Sequence, residues 1–362
     1  MEKKIALKDV ARHVGVSVAA VSYVLNGKER EARVSLEMSD KIRKAAADLN
    51  YQPNVIAKSL KMGKTNTIGL IVADISNPFF SNIARIVEDE AKKHGYVVLF
   101  GSSDESADKQ QDLIDVMLNR LVDAFIIAPS AGTEKQIKNL KERNVPVILI
   151  DRYFPDIKAD SVHINNFQAA NKAVQHLIKN KRSKIAMLAY DNQLPHMQER
   201  KDGYKAALKE NALRFKRSWL LEASYQNIEK DVAEAMSALL QPLQVDAFFF
   251  ATNSLAIAGL KKINEYGIKV PDELAIISFD ESDAFDFFYS PVTYVSQSVA
   301  DIGKEAVKLV INRLLNKTAK AASIIVKAKL IVRESCGSKP KTKSNFPYYL
   351  NNHISDKANL IE

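Results

Sequence analysis

Two hydrophobic periodicities divide the chain near residue 65. Before it, apolar residues recur at three- and four-residue spacing in short blocks. Leu7, Val10, Ala11 and Val14 share one face of LKDVARHV, which predicts a helix. Gly15 ends it and permits a tight turn. Ser17 is placed to cap a second helix, VAAVSYVLN, with Val21, Val24 and Leu25 inward. After a polar loop, GKEREARV, Ser35 caps a third helix with Ile42, Ala45, Ala46 and Leu49 inward. Asn50 then suits a left-handed helix stop. Beyond Pro53, NVIAKSL is only two turns long, too short to stand alone in water, and KMGKTNT reads as a linker.

From Ile68 the pattern changes. Short apolar runs alternate with amphipathic stretches: TIGLIVA, YVVLFGSS, DAFIIAP, VPVILI and SVHIN, then KIAMLAY, WLLEA, DAFFFAT, LAIISF and VTYVSQS. Continuous apolar runs separated by helices predict parallel strands covered on both faces, an α/β architecture. About 270 residues of such units exceed one comfortable core, so two lobes are expected. SIIVKAKLIVRES reads as one or two further strands. Residues 338–362 are polar with no heptad or clear period, and a disordered tail is expected there.

Composition adds limits. The 362 residues suit two or three domains, and 46% hydrophobic residues suffice for ordinary cores. The single cysteine, Cys336, excludes a disulfide framework and a multi-cysteine metal site. MEKKIALKDV has no apolar run after its basic residues, so no signal peptide is expected. No stretch reaches the roughly 18 apolar residues of a membrane span. A reducing cytoplasm is the expected setting. Charge is uneven: residues 1–64 hold 13 Lys and Arg against 7 Asp and Glu, while residues 65–337 hold 35 against 34. A basic head on a nearly neutral body suggests a polyanion-binding module joined to something else.

Two short helices joined at Gly15, with an apolar spine and a basic surround, suit a helix–turn–helix. LKDVARHVGVSVAAVSYVLNG, then LNYQPNVIAKSLKMGKTNTIGLIVADISNPFF, resembles the lactose-repressor (LacI/GalR) family of bacterial transcription regulators. The likeness continues through HGYVVLFGSSDE, LVDAFIIAPS, PVILIDR, ERKDGYKAAL, DAFFFATNSLAIAGL, GIKVPDELAIISFDESD and LIVRESC, covering roughly residues 5–336 in order. The resemblance implies a helix–turn–helix head at 1–52, a hinge helix and linker at 53–65, and a core at 66–337. That core would be doubly wound, two-lobed and periplasmic-binding-protein-like. Its lobes would be discontinuous: the first about 66–164 and 291–321, the second about 165–290 and 322–337. The chain departs from the family pattern at Ala6, where a Thr cap is usual. It departs again at Tyr23, which stands for an Arg that commonly contacts DNA, and in a longer loop from Asn26 to Val34.

In this reading Val18 and Ala19 begin the recognition helix and face the groove, where apolar side chains can touch thymine methyls. Ser17, Ser22, Tyr23, Asn26, Tyr51 and Asn54 are candidate DNA contacts, mostly suited to phosphates. Capping is the alternative role for Ser17 and Asn26. On sequence alone Leu60 reads as a core residue. The resemblance makes it a wedge entering the minor groove, with Ala57 and Lys58 beside it.

In open α/β sheets, ligands sit beyond the carboxyl ends of the strands. Asp74, Asp151, Asn253 and Asp280 each follow an apolar run and are candidate effector contacts, with helix capping as the alternative. The resemblance adds Phe79, Arg200 and, on a looser match, Tyr225. Carboxylates, an amide and a guanidinium among aromatic faces suit a polyhydroxylated ring.

No histidine pair has metal-ligand spacing, no Gly-x-Ser-x-Gly elbow or phosphate-binding loop occurs, and the acids of FDESDAFDFF lack calcium-loop spacing. No enzyme activity, metal or cofactor is expected. The expected protein is a homodimeric regulator of double-stranded operator DNA, with a small, carbohydrate-like effector as its second partner. Control by a nucleobase or a protein partner is the alternative. A solute receptor would lack the DNA head.

Overall fold

The structure is a computed structural model and describes residues 5–52, 64–316 and 320–338. Two compact units meet between Thr65 and Asn66.

The first unit holds α1 (Leu7–Val14), α2 (Val18–Leu25) and α3 (Leu36–Asp48). Gly15, at φ 77°, ends α1 in the left-handed conformation. Ser17 Oγ accepts from the Ala20 N–H at 3.1 Å and Ser35 Oγ from that of Met38 at 3.3 Å, so both serines cap as expected. Ala6 cannot cap α1 with a side-chain oxygen. The Asp9 carboxylate instead accepts from the Ala6 N–H at 2.9 Å, satisfying the other half of a capping box. Val10, Ala11, Val21, Val24, Ile42, Ala45 and Ala46 form the buried core, while Leu7, Val14, Leu25 and Leu49 pack partly buried around it. Asn50 takes φ 53°. The loop after α2 is tied to α3 by a Glu29–Arg43 ion pair of 2.8 Å.

The second unit contains two six-stranded sheets. In chain order the first-lobe elements are β1 (Thr67–Val72), α4 (Pro78–Lys93), β2 (Val97–Ser102), α5 (Ala107–Asn119), β3 (Ala124–Ile127), α6 (Glu134–Glu142), β4 (Val147–Ile150) and β5 (Asp160–Ile164). The second lobe follows with α7 (Asn166–Lys179), β6 (Ile185–Tyr190), α8 (Pro195–Glu210), β7 (Leu220–Ala223), α9 (Ile228–Leu240), β8 (Ala247–Phe250) and α10 (Asn253–Glu265). It ends with β9 (Ala275–Phe279), α11 (Ala284–Phe287) and β10 (Thr293–Gln297). Last come α12 (Val299–Leu315), β11 (Ser323–Val326) and β12 (Ala328–Ile331). The first sheet runs β11-β5-β4-β3-β1-β2 and the second β12-β10-β9-β8-β6-β7. Every pairing is parallel except β10 with β12. The central strands are buried throughout, as their unbroken apolar runs require.

The topology corrects the expected lobe limits of 291–321 and 322–337. VTYVSQS belongs to the second sheet, because Thr293–Val295 pair with Ile277–Phe279. The chain returns to the first lobe only with α12, which packs on α4 at Gly303; a Cβ there would meet Ile86 Cγ2 at 2.6 Å. SIIVKAKLIVRES is two strands on different sheets: Ile324 and Ile325 pair with β5, whereas Leu330 and Ile331 pair with β10. The chain therefore crosses between lobes near Asn165, Ser298 and Lys327. Strand periodicity marks the segments but carries no information about distant partners.

Gly203 sets how closely α8 approaches α7. A Cβ there would stand 2.4 Å from the Phe167 carbonyl oxygen and 3.0 Å from the Asn171 nitrogen, both backbone atoms that cannot swing aside. Gly203→Ala is expected to force the helices apart and to lower stability by about 1–3 kcal/mol, the usual cost of overpacking. A denaturant melt of the full chain measures this; an unchanged midpoint would contradict it.

Candidate DNA-binding face and effector cleft

On α2, Val18, Ala19 and Tyr23 are exposed and Ser22 is half-buried, while Val21 and Val24 are buried in the head core. The helix thus presents a small, weakly polar face opposite its packing face. Ser17 caps this helix, and the Asn26 side chain donates to the Ser22 carbonyl at 2.7 Å, so both also serve the capping role. Tyr51 is half-buried against the head core, and burial raises its hydroxyl's pKa. Asn54, Ala57, Lys58 and Leu60, and the tail from residue 339, lie outside the described residues.

The second candidate site lies where the carboxyl ends of both sheets face one another. Asp74, Phe79, Asp151, Arg200, Tyr225 and Asp280, proposed from separate stretches of sequence, line one small cavity. Asp151 and Asp280 each follow their strand directly and adopt left-handed backbones, φ 62° and 66°. Non-glycine residues hold that conformation at a cost of order 1 kcal/mol or more, and such strain clusters at ligand sites.

Arg200 is 2% exposed. Its Nε donates to Asn166 Oδ1 at 2.9 Å and Nη1 to the Ala251 carbonyl at 2.8 Å. Nη1 also stands 3.7 Å from Asp280 Oδ2, and the guanidinium lies 3.6 Å from the centre of the Phe279 ring. Gln297 donates to Asp280 Oδ1 at 2.6 Å. Burial still pushes the Asp280 carboxyl up to about 6, with Arg200 and Gln297 opposing. A folded-state pKa above the unfolded value of about 4 means the native state binds the extra proton. This contribution is therefore present below about pH 4 and lost as pH rises through about 6. On going from pH 7.5 to 4.5, the wild type is expected to gain about 2 kcal/mol relative to Asp280→Asn. Parallel stability–pH curves for the two proteins would refute the assignment.

Thr252 is the N-cap of α10, its Oγ1 accepting from the Leu255 N–H at 3.3 Å, and Asn253 Oδ1 accepts from the first-turn Ser254 N–H at 2.8 Å. Asn253 also exchanges side-chain hydrogen bonds with Asn77, 3.1 Å each way, joining the lobes. It is 1% exposed and donates also to the Glu281 carbonyl at 2.9 Å. Three further bonds cross the cleft. Asn77 donates to Ser254 Oγ at 3.3 Å, Tyr153 to Glu199 Oε1 at 2.5 Å, and Tyr225 to Asp74.

Several cleft residues escaped the sequence reading. Arg152 is 5% exposed and grips Glu105 with both arms, Nη1 to Oε2 at 2.7 Å and Nη2 to Oε1 at 2.5 Å. Its position directly after Asp151 was visible, but its partner lies 47 residues away. His196, 3% exposed, is held well below its usual range by burial, with Arg152 and Arg200 adding. Burial pushes the Tyr190 hydroxyl up to about 12 while Thr252 and Ser254 bind it. Among the described residues no group of three or more His, Cys, Asp or Glu could hold a metal, and no helix is long and apolar enough to cross a membrane.

Residues 6–54 match the pattern described as bacterial regulatory proteins, lacI family, and residues 174–336 match a periplasmic binding protein-like domain. Catabolite control protein A of Priestia megaterium is 32% identical over 322 residues, covering 89% of this chain and 96% of that protein. The chain belongs to the lacI family of bacterial regulatory proteins. As a lacI-family protein it is a DNA-binding transcriptional regulator with a helix–turn–helix head and a core fitted to a small-molecule effector. The HTH-type transcriptional repressor PurR of Mannheimia succiniciproducens is 29% identical over 331 residues, 91% of this chain and 98% of that protein. In fold, the lac repressor dimer bound to operator and the anti-inducer ONPF superposes with a TM-score of 0.80 over 92% of this chain and 99% of that one, at 20% identity.

Proposed function

We propose that this lacI-family regulator works as a homodimeric repressor in the cytoplasm, releasing or gripping a near-palindromic operator as a carbohydrate binds between its lobes. The observation that carries the effector reading is the convergence of Asp74, Asp151, Arg200 and Asp280 with Phe79 and Tyr225 on one interlobe cavity. Carboxylates and a guanidinium can hold adjacent ring hydroxyls while aromatics cover the ring's apolar face. Asn253 acts by joining the lobes, so a ligand that alters the gap alters its bond to Asn77.

In the head, Val18, Ala19 and Tyr23 take the groove-facing role and Ser17, Ser22, Asn26, Tyr51 and Asn54 the backbone-facing one. Residues 53–65 take the hinge role, with Leu60 as wedge beside Ala57 and Lys58. Dimerisation is favoured by the edge of the first lobe: β2 ends its sheet and exposes Val97 and Phe100, and α5 exposes Val116. The chemistry of the chain is binding, with no catalytic step.

A thermal-shift screen of sugars, sugar phosphates and nucleobases against the full chain tests the effector reading. A sugar at 100 times its dissociation constant is expected to add about 2.7 kcal/mol. A nucleobase hit with no response to any sugar would overturn it.

A further inference from the structure

The charges of the cleft are unequal. Four carboxylates line the cavity, Asp74, Glu105, Asp151 and Asp280, against two guanidiniums, Arg152 and Arg200. Both guanidiniums are held by the protein. Arg152 spends both arms on Glu105 and donates from Nη1 to the Pro129 carbonyl at 3.2 Å. Arg200 is committed to Asn166, the Ala251 carbonyl and the Asp280 carboxylate. An entering phosphate would meet an acidic excess in a poorly hydrated space, where like charges repel most strongly. Of the two guanidiniums it would find one terminal nitrogen, Arg200 Nη2, without a protein hydrogen bond, too little to offset four carboxylates.

The buried atoms without a hydrogen bond say what the cavity asks for. Asp151 Oδ1 can only accept, Arg152 Nε can only donate, and the His196 ring adds Nδ1. Arg152 Nε lies 3.4 Å from Asp151 Oδ2, so a charge contact stands there without a hydrogen bond. Adjacent acceptor-only and donor-only atoms suit a group that donates and accepts at once, which a hydroxyl does and neither an ammonium nor a phosphate dianion can.

We infer that the cleft takes an uncharged polyhydroxylated ligand and rejects the phosphorylated or carboxylated form of the same ligand. This rests on the cleft being the effector site. Discrimination comes from the excess of carboxylate over guanidinium, with Asp151 Oδ1 as the receiving atom.

Calorimetric titration of the full chain with matched pairs tests it: neutral pentoses, hexoses and disaccharides, each beside its phosphate and, for glucose, gluconate. In any pair that binds, the neutral member is expected to bind at least about tenfold more tightly. Asp151→Asn removes one negative charge, so it should weaken the neutral ligand and shrink that ratio. A phosphate or carboxylate binding as tightly as its neutral partner would overturn the inference while leaving the cleft as the effector site. Failure of both members across the whole panel would overturn the carbohydrate reading and the inference together. A ratio unmoved in Asp151→Asn, in a protein that still melts like the wild type, would remove Asp151 from the argument.

Discussion

Replacing Arg200 with methionine is expected to lower the stability of the full chain by about 3–5 kcal/mol, the scale of breaking a buried ion pair by removing one partner. The side chain is 2% exposed and serves four neighbours at once: Asn166, the Ala251 carbonyl, Asp280 and the Phe279 ring. Its loss strands the Asp280 carboxylate in the interior. The cost is therefore expected to fall when Asp280 is also replaced, since an apolar pair of similar volume removes the stranded charge. Calorimetry of Arg200→Met and of the double variant Arg200→Met, Asp280→Leu measures both. A single variant within about 1 kcal/mol of wild type, or a double variant less stable than the single one, would refute the role of the buried pair in stability. Effector response is expected to vanish in both variants, because each loses cavity-lining groups.

Removing residues 1–65 is expected to abolish DNA binding while leaving the lobes folded. The head core draws only on residues 5–51, and the lobe cores draw on none of them. The head also holds the charge excess, 13 Lys and Arg against 7 Asp and Glu over residues 1–64. Cations that neutralise phosphates release condensed counterions, so binding by the intact chain should fall steeply with salt, by about a thousandfold or more between 50 and 200 mM for six contacts. Fluorescence anisotropy with a labelled duplex, over a salt series, reads this for the intact and truncated proteins. A truncated protein that retains DNA affinity, or an intact one indifferent to salt, would contradict the assignment. A truncated protein whose lobes no longer melt cooperatively would contradict the separation of cores.

The cleft shows how far single residues can be read. Asp74, Asp151 and Asp280 were legible because a parallel strand buried on both faces ends where its apolar run ends, and the next polar residue stands at the carboxyl edge. Asn253 was legible by the same rule, but its use was not. Thr252 takes the cap, and the amide reaches Asn77, 176 residues earlier, across the gap between lobes. Phe79, Arg200 and Tyr225 came from the family resemblance, since nothing in their local spacing sets them apart. Arg152 and Glu105 went unread for a plainer reason. A charged residue after a strand is ordinarily solvated, and only the pairing of two distant loops buries this one.

Local chemistry alone determined the three helices of the head, the serine caps, the turn at Gly15, the alternation of strands and helices beyond residue 67, and the basic bias of the N-terminus. These depend on periodicity, on backbone preferences and on charge, all of which act within a few residues. Tertiary structure alone decided which sheet each late strand joins, and so where the chain changes lobes. The partner of β11 lies far back in the chain, Ser323 against Ser161, whereas β12 pairs with the nearby β10, and each apolar edge would fit several partners equally well. It also decided the state of the cleft: which carboxylates are spent on guanidiniums, which atoms stay unpaired, and that Asp280 holds its proton more tightly than an exposed acid. Burial and distance set those properties, and both exist only once the two sheets face each other.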